Sequence, residues 1–345
     1  MVETSQPITV SSGKFVILLF ATAVLLNSKT GVSQTPPVNS EPQRVAALPT
    51  ETTIDDLMPS PVIEDMSRAA NEVKQPSTVF ASPNRFRPFV DATAEWLPAN
   101  GPVGIASYGA QVKVPTYPVF GPPPPMIQLG YTWTEFQSTD EFELPNNVMD
   151  VVVGSSWVRR LNDRWTLRVM CNVAFASDGD NTSSDAWQFR GGAFALYSRD
   201  PEWIWTLGVI ALGRNDLPAV PAVGLIWQPR DTLKIDLILP RPRVNVLLLD
   251  GGERQCWGYF GGGFSGGTWA FEDTNGRQDQ LTYGDWRVVL GWESVPRVEP
   301  GVPFQRGRKL GCEVGYSFAR EIEFERDSAT ISLDDTLLLQ AKLSF

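Results

Sequence analysis

The sequence predicts an all-β chain, a closed antiparallel up-and-down transmembrane β-barrel of about 12 to 14 strands, and three observations carry that expectation. Beyond about Arg85, segments of roughly ten residues alternate apolar and polar side chains with the two-residue period of a strand, and many of their apolar faces begin or end in an aromatic residue. The only long unbroken apolar run, Phe15 to Leu26, is too short to cross a hydrocarbon core that needs ~20 helical residues, so any insertion has to use strands. The chain closes on Thr336 to Phe345, where Leu337, Leu339, Ala341, Leu343 and Phe345 share one face and Thr336, Leu338, Gln340, Lys342 and Ser344 the other.

In chain order, residues 1–33 read as a secretory signal peptide, with Lys14 ahead of the apolar run and a small-residue cleavage position at Gly31 and Ser33. Residues 34–84 are rich in Pro, Ser, Thr and Glu and read as a disordered linker or tail, because prolines such as Pro36, Pro37, Pro59 and Pro61 block regular ladders. Residues 85–345 form the barrel. Alternation is clear at Ile127 to Trp133, Trp165 to Phe175, Trp203 to Ala211, Leu233 to Leu239, Trp286 to Trp292 and Leu310 to Phe324.

Short turns at Leu161 to Asp163, Arg199 to Pro201, Pro229 to Asp231 and Asp250 to Arg254 alternate with longer connections at Ser177 to Ala186, Arg214 to Pro218 and Glu272 to Thr282. Such barrels keep short turns on the periplasmic side. The parity holds when Thr232 to Leu239 and Val244 to Leu249 are separate strands joined by Pro240-Arg-Pro-Arg243, which leaves thirteen strands from Val103 onward. Single-chain bacterial barrels have even numbers, so Phe86 to Trp96 supplies a fourteenth. If Pro-Arg-Pro-Arg only kinks one strand, the count is twelve and the parity fails. Ser294 to Gly307 is long for a periplasmic turn in either count.

The terminal strand resembles the C-terminal signal by which bacterial outer-membrane barrels are recognised, with Leu339, Ala341, Leu343 and Phe345 as its apolar positions. That resemblance implies the bacterial outer membrane as location, and its lipid and assembly machinery as partners. Four further motifs resemble a bacterial family of uncharacterised predicted outer-membrane barrels, a domain of unknown function. They are Trp227-Gln-Pro-Arg-Asp231, Leu237-Ile-Leu-Pro-Arg-Pro-Arg243, Gly258-Tyr-Phe-Gly-Gly-Gly263 with Gly266-Gly-Thr-Trp269, and Gly315 to Phe324. The resemblance spans about the last two-thirds of the chain and implies architecture and location, with no catalytic residues to carry over.

Composition narrows the function. A net charge of -10 argues against nucleic acid, whose binding surfaces need clustered cations. The chain has no histidine, which removes Ser-His-Asp and Cys-His catalysis and the commonest zinc ligand. Nothing calls for a cofactor or metal, and the chain reads as a non-enzyme. Cys171 and Cys312 fall in register with apolar neighbours and read as small apolar residues. Asp178-Gly-Asp180-Asn181 resembles half of a calcium loop without its distant Glu and reads as a polar turn. The glycines from 261 to 267 lack a strand-to-helix context and read as a bend or close approach.

The polar faces place Lys234, Asp236, Asp285, Arg287, Glu313, Glu321 and Glu323 on the lumen wall. Their acidic excess implies a mild cation preference in an open pore. The expected function is a passive pore, a small-solute uptake channel or a structural barrel, with an unknown solute. The alternative is a secreted or periplasmic β-sandwich that binds carbohydrate through exposed tryptophans.

Overall fold

The computed structural model describes residues 88–118, 123–138, 144–200, 202–214, 218–297, 308–326 and 329–345. The expected leader (1–33) and Pro-rich segment (34–84) lie outside the described residues. The strands are β1 Phe89–Leu97, β2 Val103–Pro115, β3 Met126–Ser138, β4 Asn147–Arg160, β5 Trp165–Ser177, β6 Trp187–Asp200, β7 Trp203–Ala211, β8 Ala219–Arg230, β9 Leu233–Ile238 and β10 Arg243–Asp250. They continue as β11 Arg254–Glu272, β12 Gln278–Pro296, β13 Lys309–Phe324, β14 Thr330–Leu333 and β15 Thr336–Ser344.

From β1 to β13, each strand pairs antiparallel with its successor. The sheet closes where β15 pairs with β1, from Asp91↔Ser344 to Trp96↔Leu339. Strands β14 and β15 both lie against β13, Thr330–Leu333 along Arg320–Glu323 and Thr336–Ser344 along Lys309–Ser317. They are two halves of one stave interrupted at Asp334 and Asp335, so the barrel has fourteen staves and the β-sandwich alternative falls.

Pro240-Arg-Pro-Arg243 is a hairpin connection, with Arg243 opposite Asp236, and not a kink in one strand. Strand β1 is the fourteenth strand that the even number of such barrels calls for, at Phe89–Leu97 where Phe86 to Trp96 is expected. Turns 161–164, 231–232 and 251–253 share the rim with Phe345, as expected, and the ends of β2, β3, β6, β7, β12 and β13 that flank the other connections on that side lie there too. Part of the long Ser294 to Gly307 stretch belongs to β12, which runs to Pro296 and places the Arg297 N–H on the Glu253 carbonyl at 2.8 Å. Residues 298–307 lie outside the described residues.

Alternation divides the wall into two faces. Leu129, Val153, Leu207, Phe260, Leu290, Val314 and Leu337 are exposed around the outside, while their neighbours Gln128, Val152, Thr206, Tyr259 and Leu338 are buried. A closed sheet with an apolar exterior satisfies all ladder hydrogen bonds internally and presents hydrocarbon to hydrocarbon, the only way strands can cross a bilayer. Aromatic pairs gather at both rims. Trp165 with Tyr197 (4.9 Å) and Trp203 stacked on Trp227 (5.0 Å) lie at the Phe345 rim, and Phe175 with Trp187 (5.2 Å) at the far rim. These are the headgroup levels where amphipathic rings are most stable. Cys171 and Cys312 are free and exposed among the apolar outer residues, in the role the register assigned them.

A cation on the outer mid-belt has no polar partner, so Leu290→Arg destabilises the barrel by about 2–4 kcal/mol. Urea unfolding in lipid vesicles measures this, and an unchanged midpoint would mean that this face does not meet lipid.

The candidate functional site is the barrel interior and its cap

The inward face is divided into zones. Met170, Phe194, Leu196, Ile204, Ile210, Ala222, Ile226 and Ile238 make an apolar inner wall along β5 to β9. Across from it, β9 to β13, β15 and β1 carry charges in paired sets. Lys234 lies 3.3 Å from Asp236, which also accepts from Asn245 Nδ2 at 3.2 Å. Glu313 takes Lys342 Nζ at 3.2 Å and the Tyr259 hydroxyl at 2.6 Å, and the Arg243 guanidinium lies over the Tyr259 ring.

Arg287 is the most connected of these side chains. Its two Nη atoms donate to the two Glu95 oxygens at 2.6 and 3.0 Å, and its Nε donates to Asp285 at 2.8 Å. Asp285 also accepts from Ser317 Oγ and from the Tyr283 hydroxyl, and Glu95 accepts from Gln340 Nε2 at 3.0 Å. The network ties β1 to β12 and β13 across the closing seam. A separate pair, Arg190 Nη1 with Asp150 Oδ2 at 2.5 Å, joins β6 to β4. Charges this deeply buried are tolerated only when paired and hydrogen-bonded.

Of the residues assigned to the lumen by alternation, Lys234, Asp236, Asp285, Arg287 and Glu313 are buried in this interior. Glu321 and Glu323 are not with them. Between Gly284↔Glu321 and Trp286↔Phe318 the β12–β13 register shifts, and Ala319 takes a positive φ of 49°. The bulge reverses the phase of β13, so that Arg320 and Ile322 become fully buried and Glu321 is exposed.

The expected acidic excess is also reversed. Among the described residues, the buried charged side chains are Lys113, Arg168, Arg190, Arg214, Lys234, Arg243, Arg287, Arg320 and Lys342 against Asp150, Asp236, Asp285 and Glu313, nine cations to four carboxylates. Cations remain in excess after the partly buried Asp91, Glu95 and Glu293 are added. Reading Asp150 and Arg190 from sequence required the alternation of 147–160 and 187–200, where both fall on the less apolar face.

The far rim is covered by the chain itself. Strand β10 reaches only as far as Arg243↔Gly261, so β11 beyond that point has no β10 partner. There the β11–β12 hairpin bends at Gly263 and Gly266, with φ of 157° and 138°, and a Cβ at Gly266 would collide with the Tyr283 backbone. Its end crosses to the opposite wall, where Ala270 pairs in parallel with Ser177 of β5. The turn Asp178-Gly-Asp180-Asn181 receives it. Asp178 N–H donates to the Ala270 carbonyl at 3.0 Å, Asp178 Oδ2 accepts from Glu272 N–H at 2.9 Å, and Asn181 Nδ2 donates to the Phe271 carbonyl at 3.0 Å.

Gln188 Nε2 holds the Thr268 carbonyl at 2.9 Å, and Gln280 Nε2 holds the Asp185 carbonyl at 3.1 Å. Trp269, Phe271, Leu281 and Tyr283 bury themselves among rim residues Leu97, Val103, Ile105, Phe136, Leu144, Val148 and Ile322. At the hairpin tip, the Arg277 backbone N–H on the Asp273 carboxylate holds its pKa below the ordinary aspartate value.

An apolar exterior, two aromatic girdles and a charged interior in a closed fourteen-stave sheet decide the architecture. The protein is a β-barrel of the bacterial outer-membrane type. Residues 125–248 match the family model of a domain of unknown function, DUF6268. The match spans β3 to β10 and includes Trp227–Asp231 and Leu237–Arg243, while the motifs at 258–269 and 315–324 lie outside it. No curated protein matches the chain.

Among solved structures, the chain is similar to the KdgM porin (9% identity, 74% of this chain and 98% of that one, TM-score 0.30). It is also similar to an outer membrane channel from Pseudomonas putida F1 (11%, 79% and 99%, 0.36) and to the Pseudomonas putida toluene transporter TodX (8%, 87% and 94%, 0.33).

Removing the Arg287 charge leaves Glu95 and Asp285 buried without their shared cation, so Arg287→Met costs about 3–5 kcal/mol. Pairing it with Glu95→Gln recovers part of that loss. Unfolding midpoints of the single and double variants measure the coupling, and strictly additive effects would mean the contact is energetically inert.

Proposed function

We propose that this barrel is a small-solute channel of the outer membrane whose far rim is its extracellular mouth, closed at rest by the β11–β12 hairpin. The observation that carries the reading is the hairpin itself: it leaves its own wall, crosses the interior and is held on β5 and the turn that follows it. A barrel serving only as a structural body has no need of a cap hinged on glycines. The basic excess of the interior sets the selectivity as anionic, because fixed cations in a narrow, low-dielectric passage lower the energy of an anion and raise that of a cation.

The remaining assignments belong to this reading. Residues 1–33 direct export as a leader that is removed. Leu339, Ala341, Leu343 and Phe345 form the outward-facing signal that the assembly machinery engages while β15 waits for β1, and half-exposed Phe345 at the rim supports that role.

Planar-bilayer recording of the refolded barrel tests the proposal. The wild type gives rare, brief openings whose reversal potential in a salt gradient shows anion preference. Hydrogen bonds to a carboxylate are worth about 1.5–3 kcal/mol, so Asp178→Ala raises open probability about tenfold or more. Deleting residues 268–282 holds the pore open. A silent barrel after that deletion would sink the channel reading, and cation preference would sink the selectivity.

A further inference from the structure

Beneath the cap, a cavity of about 90 Å³ lies between the inner faces of β1 to β4 and the β11–β12 hairpin. We infer that this cavity is a binding site for a small neutral polyol of three or four carbons, an inference that deepens the channel reading by placing a stopping point on the solute's path.

The walls specify the chemistry. Ser107, Thr132 and Thr134 present hydroxyls, two of which, Ser107 Oγ and Thr134 Oγ1, lie 3.0 Å apart. A hydroxyl pair of this kind shares one hydrogen and keeps the other hydrogen and spare lone pairs for a ligand. Asp150 adds a carboxylate. Its Oδ2 is held by Arg190, whereas its Oδ1 is buried with no hydrogen-bond partner and belongs to a residue that lines the cavity. A buried carboxylate oxygen left in that state costs free energy until a donor reaches it. The Trp269 indole, set edge-on to Phe136 with centroids 6.0 Å apart, supplies an apolar surface for C–H groups.

Charge and size narrow the ligand further. The charged groups that line the cavity already have partners, Asp150 with Arg190 and Glu95 with Arg287, which also holds Asp285, so none of them is left to hold a small ion by itself. A ligand that donates hydrogen bonds, accepts them from hydroxyls and carries a C–H face is an alcohol with several hydroxyls. At ~10–15 Å³ for each water-sized group, the cavity holds about six to nine non-hydrogen atoms, the size of glycerol or erythritol and smaller than a hexose. The basic excess that selects anions is spread around the interior, with Lys113, Arg168, Arg190 and Arg214 on the β2 and β5 to β7 side as well as the cations of β9 to β13 and β15, and the hydroxyls of this cavity are no part of it.

Saturation-transfer NMR and calorimetry on the detergent-folded barrel, with erythritol as probe, test the site without requiring conduction. The wild type shows saturable binding that glucose does not match. Thr134→Val and Ser107→Ala, each confirmed as folded by heat-modifiable gel mobility, weaken binding at least tenfold. Absence of saturable binding to the folded wild type, or equal affinity in both variants, would overturn the site. A response to sodium over choline in place of erythritol would overturn it as well, by making the cavity a cation site. A barrel that conducts but gives no erythritol signal refutes this site alone, and one that binds erythritol but never conducts refutes the channel reading alone.

Discussion

The structure depends on one constraint: in hydrocarbon no backbone N–H or C=O can be left without a partner, so the sheet cannot have an edge. The seam between β1 and β15 meets that demand, and everything inward follows from its register. Where the last stave breaks at Asp334 and Asp335, side chains take over the missing ladder bonds. Arg320 Nη1 donates to the Asp334 carbonyl at 2.8 Å, Asn100 Nδ2 to the Asp335 carbonyl at 2.9 Å, and Asp335 accepts from the Ala319 N–H and the Tyr316 hydroxyl. The break sits at the far rim, beside the bulge on β13, where the ladder is already irregular.

The same constraint produces the cap. Strands β9 and β10 are short, and β11 and β12 are the longest in the sheet, so a stretch of β11 is left as an unpaired edge. An exposed edge of that length is a template for aberrant pairing. The chain resolves it by folding the surplus hairpin into the mouth, where β5 and its turn supply new partners. Glycine at 263 and 266 permits the bend, because a side chain there would strain the backbone or strike the facing strand. The cap and the short wall are therefore one feature, and lengthening β9 and β10 would remove the reason for the other.

Much of this was legible in the sequence, because a two-residue period is a strong signal when one face meets lipid and the other does not. Loop parity favours the separation of β9 from β10 at Pro240-Arg-Pro-Arg243, and the even strand number of such barrels then calls for β1, within a count that the sequence leaves at 12 to 14. The positions of Lys234, Asp236, Asp285, Arg287 and Glu313 followed from alternation. Glu321 and Glu323 did not, since a bulge of one residue inverts every later position and the sequence around Ala319 has no glycine to announce it. The sign of the interior differs from the expectation because the expected wall rests on β9, β12 and β13 alone, whereas Lys113, Arg168, Arg190 and Arg214 add buried cations from other parts of the sheet. Nor could periodicity reveal the docking of the hairpin on β5, a contact between elements far apart in the sheet.

On the channel reading proposed above, the cap also sets the energy scale of opening. Trp269, Phe271 and Leu281 leave water when the hairpin docks, and each side chain of this size contributes about 1.5–3 kcal/mol on burial. Carboxylate and amide hydrogen bonds from Asp178 and Asn181 add to that, against the conformational freedom the hairpin regains on release. A net gap on the order of 5 kcal/mol leaves the mouth open in roughly one molecule in ten thousand. Such a barrel is closed in its ground state, and a solute that stabilises the open form must bind it preferentially, because equal affinity for both forms shifts nothing. The hydroxyl-lined cavity under Trp269 lies where a ligand could distinguish the two forms, since docking and undocking of the hairpin make and unmake one of its walls.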